Sequence, residues 1–269
     1  MESIICPTDF SENAQKATNW AAFLSAKLNL PLHLYNCYHI PVMVNDIPFP
    51  MGSEVEIEDG LKGLMQTERE RLKEIYKDLE IITHVEPGFA NESILAYANK
   101  NKAKLIVIGI SGRSAAGQVL IGSTAIHISL HAKAPVLIIP SKAKSIKLIN
   151  TAIACDFTRS EKVADIQLLF DIIEKFDSNI DLVHVVKQSQ TNKPDPKNKI
   201  EGIENFKFAF HQVEDESVEP GLVHFTEKNN IDLLAVIHKN HGFFERIFKR
   251  SHTGKLAYKI NIPLLVLHE

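Results

Sequence analysis

Short runs of aliphatic and β-branched residues recur along the chain. Between them lie longer stretches in which apolar positions return every three or four residues. In the first half the apolar runs fall near residues 3–6, 32–37, 81–86, 104–109 and 135–140. Runs this short and this continuous predict strands buried on both faces of a parallel sheet. Ala17 to Leu28 is rich in alanine and leucine and predicts a helix opened by Ser11 or Glu12. Lys62 to Leu79 predicts a charged amphipathic helix with Leu64, Leu72, Ile75 and Leu79 as its apolar positions. Asn91 to Lys100 predicts another, with Asn91 as its candidate cap. Ile126 and Leu130 are spaced as on a further helix. Apolar runs return near 149–154, 180–186, 206–212, 231–237 and 263–267. This alternation of strand and helix predicts an α/β protein with a doubly wound parallel sheet. Such sheets hold ligands at the carboxyl ends of their strands, where the strand order reverses.

The second half repeats the first. Ile5-Cys6-Pro7-Thr8-Asp9-Phe10-Ser11 returns as Ile153-Ala154-Cys155-Asp156-Phe157-Thr158, so Asp9 maps to Asp156 at an offset of 147. Ala134-Pro135-Val136-Leu137-Ile138-Ile139 returns as Ile262-Pro263-Leu264-Leu265-Val266-Leu267 at an offset of 128. The second copy is thus shorter by 19 residues. Asn36 still maps to His184 at an offset of 148, so the shortening falls between the second and fourth strands. Two domains are expected, 1–143 and 144–269, joined by a short basic connector near Ser141 to Ser145. The polar stretch Lys187 to Lys199, with Pro194 and Pro196, has the composition of a linker. Its place in the repeat makes it a loop after the second strand of the second copy. An apolar last strand needs cover. Val136 to Ile139 and Leu264 to Leu267 are therefore expected to meet across an internal pseudo-twofold.

Candidate chemistry centres on Val107-Ile108-Gly109-Ile110-Ser111-Gly112, followed by Gly122-Ser123-Thr124. A strand, a glycine-rich loop and a helix N-terminus in that order form an anion site. Glycine admits close backbone approach, loop amides donate, and the helix dipole favours negative charge. Ser123 and Thr124 either add hydroxyl donors or cap the helix. The alternative is a turn that merely joins strand to helix. The Rossmann G-x-G-x-x-G is absent, and Gly117 to Thr124 has Walker A spacing with Ser123 in the place of the lysine. At an offset of 128, Gly109 becomes Ile237, Gly112 becomes Asn240, Gly122 becomes Arg250 and Thr124 becomes His252, while Ser251 matches Ser123. A β-branched residue resists positive φ and fills space, so the second loop reads as degenerate. Asp9 is either a helix cap or a ligand contact. Val42 to Gly60, with Pro48, Pro50 and Gly52, is expected to form a flap over the first site.

Other constellations carry less. Cys6 and Cys37 form a conceivable redox pair, although buried cysteines usually act as small hydrophobes. His238, His241 and His252 have no accompanying acidic or cysteine ligand set, and no G-x-S-x-G elbow is present. Lys239, Arg246, Lys249, Arg250 and Lys255, with Phe243, Phe244 and Phe248 nearby, form either a solvated basic helix end or a docking surface for an acidic partner. A net charge of −3 excludes a strong overall drive towards nucleic acid or an anionic membrane. No apolar run approaches the roughly 20 residues that span a bilayer. The first residues carry no secretory pattern, and three cysteines suggest no disulfide framework. Cytoplasmic residence is the expectation.

On Pro7-Thr8-Asp9-Phe10-Ser11, the loop from Gly109 to Thr124 and the strand Ala134 to Ile139, the chain resembles the universal stress protein family in its tandem two-domain form. The resemblance implies two five-stranded sheets of order 3-2-1-4-5. It implies ATP in the first domain, possible Mg²⁺, and dimerisation through the last strand. Carried over, Gly109, Gly112 and Gly122 approach the phosphates, flanked by Arg113, Ser123 and Thr124. Pro7, Thr8 and Asp9 lie beside the nucleoside and the metal, and the Cys37 backbone meets the adenine. The expected function is a cytoplasmic stress-response protein in which ATP acts as a signal or stability switch. The expected partner is a nucleotide rather than nucleic acid or membrane. The chain forms an internal pseudo-dimer that a further homodimer could extend, and no protein partner can be named. A slow ATPase or nucleotidyl-transfer enzyme is one alternative, although no lysine, arginine finger or base is identifiable for phosphoryl transfer. A non-nucleotide interaction module is another.

Overall fold

The computed structural model describes residues 2–39, 54–110, 122–143, 146–155, 166–186, 200–238, 256 and 259–268. The first half supplies strands β1 (Ser3–Pro7), β2 (Leu32–Tyr38), β3 (Ile81–Pro87), β4 (Ala103–Ile110) and β5 (Val136–Pro140). Its helices are α1 (Glu12–Leu28), α2 (Glu54–Ile75), α3 (Ala90–Lys100) and α4 (Ser123–His131). The second half supplies β6 (Asn150–Ala154), β7 (Asn179–Val186), β8 (Phe208–Glu214), β9 (Leu233–His238) and β10 (Leu264–His268), with helices α5 (Ile166–Phe176) and α6 (Val218–Lys228).

Each half has the strand order 3-2-1-4-5, and every pairing within a half is parallel. The two sheets are not separate. They join into one ten-stranded sheet of order β3-β2-β1-β4-β5-β10-β9-β6-β7-β8. The seam is the antiparallel pair β5–β10, with Leu264 opposite Ile138, Leu265 opposite Leu137 and Val266 opposite Val136. Burial follows from this order. All five residues of β1 and of β5 are buried, whereas the outermost strands β3 and β8 are half-exposed. A core lies on each face. Ile4, Cys6, Val107 and Leu137 point to the face covered by α1, α2 and α5. Ile5, Ile106, Ile108 and Val136 point to the face covered by α3, α4 and α6.

Two helix expectations need correction. α2 begins at Glu54, well before Lys62, and ends at Ile75. It buries Met65 and Leu72, two helical turns apart, while Leu64 and Ile75 are exposed. Residues 54–60 therefore belong to a helix rather than to a flap, and the rest of the expected flap lies outside the described residues. α3 is not capped by Asn91, which sits inside its first turn. Phe89 holds the cap position and makes no side-chain cap bond. In the second half, the described residues between β7 and β8 contain a 3-10 turn at Ile203–Asn205 where the first half has α2. Ile200 and Ile203 are buried there, and Phe206 stacks tilted on Phe170 at 4.7 Å. A compact apolar plug thus covers the sheet face that a helix covers in the first half.

Candidate functional site

The chain turns sharply after β1. Thr8 N–H donates to Tyr35 O at 2.9 Å, and Thr8 Oγ1 accepts from Phe10 N–H at 3.1 Å. Asp9 Oδ1 accepts from Ser11 N–H at 3.0 Å, and Ser11 Oγ accepts from Ala14 N–H at 3.2 Å. Phe10 takes the left-handed conformation that this turn demands, with φ 63°. Ser11 is therefore the cap of α1. Asp9 secures the turn that precedes the cap, and it remains exposed at the edge of a cleft.

That cleft opens at the carboxyl ends of β1 and β4, where the strand order reverses, and encloses about 200 Å³. Pro7, Thr8 and Asp9 form one wall, and Ile108 and Gly109 the opposite one. Tyr35 and Cys37 of β2 and Ala90 and Ile94 of α3 close one end. Gly122, Thr124 and Ala125 close the other, at the start of α4. Ser11, Asn13 and Ala14 add the start of α1. Three helices thus begin at one cleft. Their N-termini carry partial positive charge, which favours an anion.

Gly109 is required here for a reason other than a positive φ, which it does not have. A Cβ on it would lie 2.5 Å from Asn13 O and 2.9 Å from the Asn13 carbonyl carbon. The start of α1 packs directly on the β4 backbone, so only glycine fits. Gly122 occupies the cap position of α4 with φ −61°. A Cβ there would lie 3.1 Å from Ile110 Cγ1, a tight contact. Neither Ser123 nor Thr124 caps the helix, because the cap position falls one residue earlier. Ser123 is exposed and Thr124 lines the cleft. Gly112 and Arg113 lie outside the described residues, as do Asp156, His241, His252 and the basic and phenylalanine cluster of the second half.

Cys37 is half-buried. Tyr35 O accepts from Thr8 and Tyr38 O accepts from Gly88, so alternation directs the Cys37 backbone towards β1, which has already turned away. Asn36 Nδ2 donates to Thr8 O at 2.8 Å and holds this splayed corner open. Cys37 therefore offers a backbone donor and acceptor at the cleft end. Cys6 points to the opposite core, and complete burial, with Glu68 nearby, pushes its thiol up. The conceivable Cys6–Cys37 redox pair is thereby overturned.

Behind the cleft, Tyr35 Oη donates to Glu86 Oε1 at 2.5 Å, and His84 Nε2 contacts Glu86 Oε2 at 2.9 Å. Burial, then the Glu86 carboxylate, pushes the Tyr35 phenol far up. Burial opposes ionisation of Glu86, yet the hydrogen bonds from Tyr35 and His84 outweigh it and hold that carboxyl below its usual range. This wall is anchored rather than labile. Tyr35, Asn13 and Ile94 escaped the sequence reading because each comes from a different element. The one available signal was Tyr35, two residues before Cys37 in the same strand. Among the described residues no group of three or more metal-ligating side chains converges, and no helix is long and apolar enough to cross a membrane.

The chain is thus an α/β protein with a glycine-lined cleft at the reversal point of a doubly wound sheet, where three helix N-termini meet. The universal stress protein family model matches residues 1–140. Universal stress protein MJ0531 of Methanocaldococcus jannaschii is 26% identical over 145 residues, covering 53% of this chain and 84% of that protein. The universal stress protein E homolog of Haemophilus influenzae is 30% identical over 97 residues, 36% of this chain and 31% of that one. A universal stress protein crystal structure from Archaeoglobus fulgidus aligns over 99% of this chain and 96% of its own, with a TM-score of 0.73 at 17% identity. The chain belongs to the universal stress protein family, in a tandem two-domain form.

Proposed function

We propose that the first half binds one ATP in this cleft and that binding serves as a signal or stability switch in a cytoplasmic stress response. One observation carries the reading: three helix N-termini, a glycine with no room for a side chain (Gly109) and a second in a tight position (Gly122) surround one cleft that also holds an acidic residue. The phosphates would lie against Gly109, Gly122, Ser123 and Thr124, with Gly112 and Arg113 of the intervening sequence contributing. Pro7, Thr8 and Asp9 would face the ribose, with Asp9 available to a phosphate-bound Mg²⁺. The Cys37 backbone would meet the base edge. Bound ATP would supply a charged, multiply hydrogen-bonded ligand that ties β1, β2, β4 and α4 together. At a hundred times its Kd it would stabilise the native chain by about 2.7 kcal/mol.

The test is to denature the purified chain and identify any released nucleotide, then to titrate the apo protein. ATP is expected, with an affinity in the micromolar range, about −8 kcal/mol. Gly122→Val should remove most of that affinity by crowding Ile110 and the start of α4. Full ATP binding by a folded Gly122→Val variant, or no ATP binding by the parent, would contradict the reading.

A further inference from the structure

Phe89 breaks two ordinary rules at the rim of the cleft. Its ring is 67% exposed. It also holds the cap position of α3 with φ −98° and ψ 123°, the extended geometry in which a serine or aspartate would bond the first-turn amides. A residue that forgoes a cap and exposes an aromatic ring violates local consistency, and such violations concentrate at functional positions. Its surroundings supply the reason. Gly88 N–H donates to Tyr38 O at 2.9 Å and ties the end of β3 to the end of β2. The fit there is close enough that a Cβ on Gly88 would lie 2.4 Å from Ser93 Oγ and 3.4 Å from Cys37 Sγ. Phe89 therefore lies between Gly88, which packs beside Cys37, and Ala90, which lines the Cys37 end of the cleft. His39, exposed at the end of β2, lies against its ring with centroids 5.0 Å apart and planes at 32°.

We propose that Phe89, backed by His39, is a specificity-determining residue whose ring stacks on the planar base of the bound nucleotide and favours the larger purine surface. The inference rests on the nucleotide reading of the cleft. Two features act together. The Cys37 backbone presents a donor and an acceptor suited to the edge of a heteroaromatic ring, and Phe89 presents an apolar face suited to its plane. Stacking of a base on an aromatic side chain tolerates any base but scales with overlap, so a purine gains more than a pyrimidine.

The test uses the full chain, Phe89→Ser and Phe89→Leu, titrated calorimetrically with Mg-ATP, Mg-CTP and inorganic tripolyphosphate. Phe89→Ser restores a cap and should raise Tm by about 2 °C. It should nevertheless weaken ATP about ten-fold, narrow the preference for ATP over CTP, and leave tripolyphosphate unchanged. Phe89→Leu should fall between the two. A structural role alone would move stability and affinity in the same direction. Unchanged ATP affinity and ATP:CTP ratio in Phe89→Ser would overturn the stacking role while the nucleotide reading stood. Equal weakening of ATP and tripolyphosphate would overturn it too. A parent chain that binds no nucleotide would remove the nucleotide reading and this inference with it.

Discussion

The two halves share one topology and differ at the carboxyl ends of their strands. Where the first half has Cys37, Ala90, Ile94 and Gly109, the second has Val185, Val218, Leu222 and Ile237. Leu222 and Ile237 are fully buried, and a Cβ on Gly221 would lie 2.8 Å from Val185 Cγ1. α6 is thus seated directly on β7, in the region where α3 and β2 border the cleft of the first half. The supporting framework is nevertheless retained. Asn36 Nδ2 bonds Thr8 O in the first half, and His184 Nδ1 faces Cys155 O at 3.0 Å in the second. Among the described residues the strand-to-strand latch is kept, while the small residues Cys37, Ala90 and Gly109 are matched by the branched Val185, Val218 and Ile237.

The largest expected effect comes from separating the halves. Residues 1–143 expressed alone would expose β5, an apolar strand whose partner is β10. The fragment should dimerise or aggregate in sedimentation velocity, and a well-behaved monomer would break the claim that the seam binds the halves. Next comes Gly109→Ile, which gives the first half the residue of the second. The Asn13 carbonyl leaves no space for it, so destabilisation of about 3 kcal/mol and loss of ATP binding are expected from denaturant melts and calorimetry. Retention of both would show that the close approach of α1 to β4 does not define the site.

Glu68 tests a contact found only where α2 exists. Its Oε1 accepts from Thr18 Oγ1 at 2.5 Å, and both carboxylate oxygens accept from Arg71. Burial alone would raise this carboxyl, but the bonds from Arg71 and Thr18 prevail and lower it. Its folded pKa is depressed, so its contribution is present above the unfolded carboxylate value of about 4.3 and is lost as pH falls through the folded one. Glu68→Ala should cost about 2 kcal/mol at neutral pH, and that difference should shrink as pH falls below about 4.3 towards the lower folded value. A mutant gap that showed no decrease anywhere on acidification below the unfolded carboxylate value would contradict the assignment. The smallest effect on stability is expected for Asp9→Asn, which retains the turn acceptor and should change stability by under about 0.5 kcal/mol. It should still weaken Mg-ATP, and unchanged Mg-ATP affinity would confine Asp9 to its turn.

Most of the sheet was legible because its strands are short, continuous apolar runs, and the repeat of the last strand pointed to the seam. The start of α2 was obscured by Gly60 and Gly63, which lower helix propensity in a charged stretch. The cap of α3 was misassigned because Phe89 is a poor capping residue and Asn91 a good one. Gly109 was singled out for close backbone approach to an anion, and the structure gives it a second reason. Its need for a bare backbone comes from Asn13, almost a hundred residues away in sequence, and no local pattern records that contact. The far wall of the cleft, built from Tyr35, Ala90 and Ile94, was hidden for the same reason.

The central claim is that one of two homologous halves retains a nucleotide cleft. Calorimetric titration of the intact apo chain with Mg-ATP tests it most directly. The account predicts one site per chain, abolished by Gly109→Ile in the first half and unaffected by Ile237→Val in the second. Two equivalent sites, or a single site that survives Gly109→Ile, would contradict it.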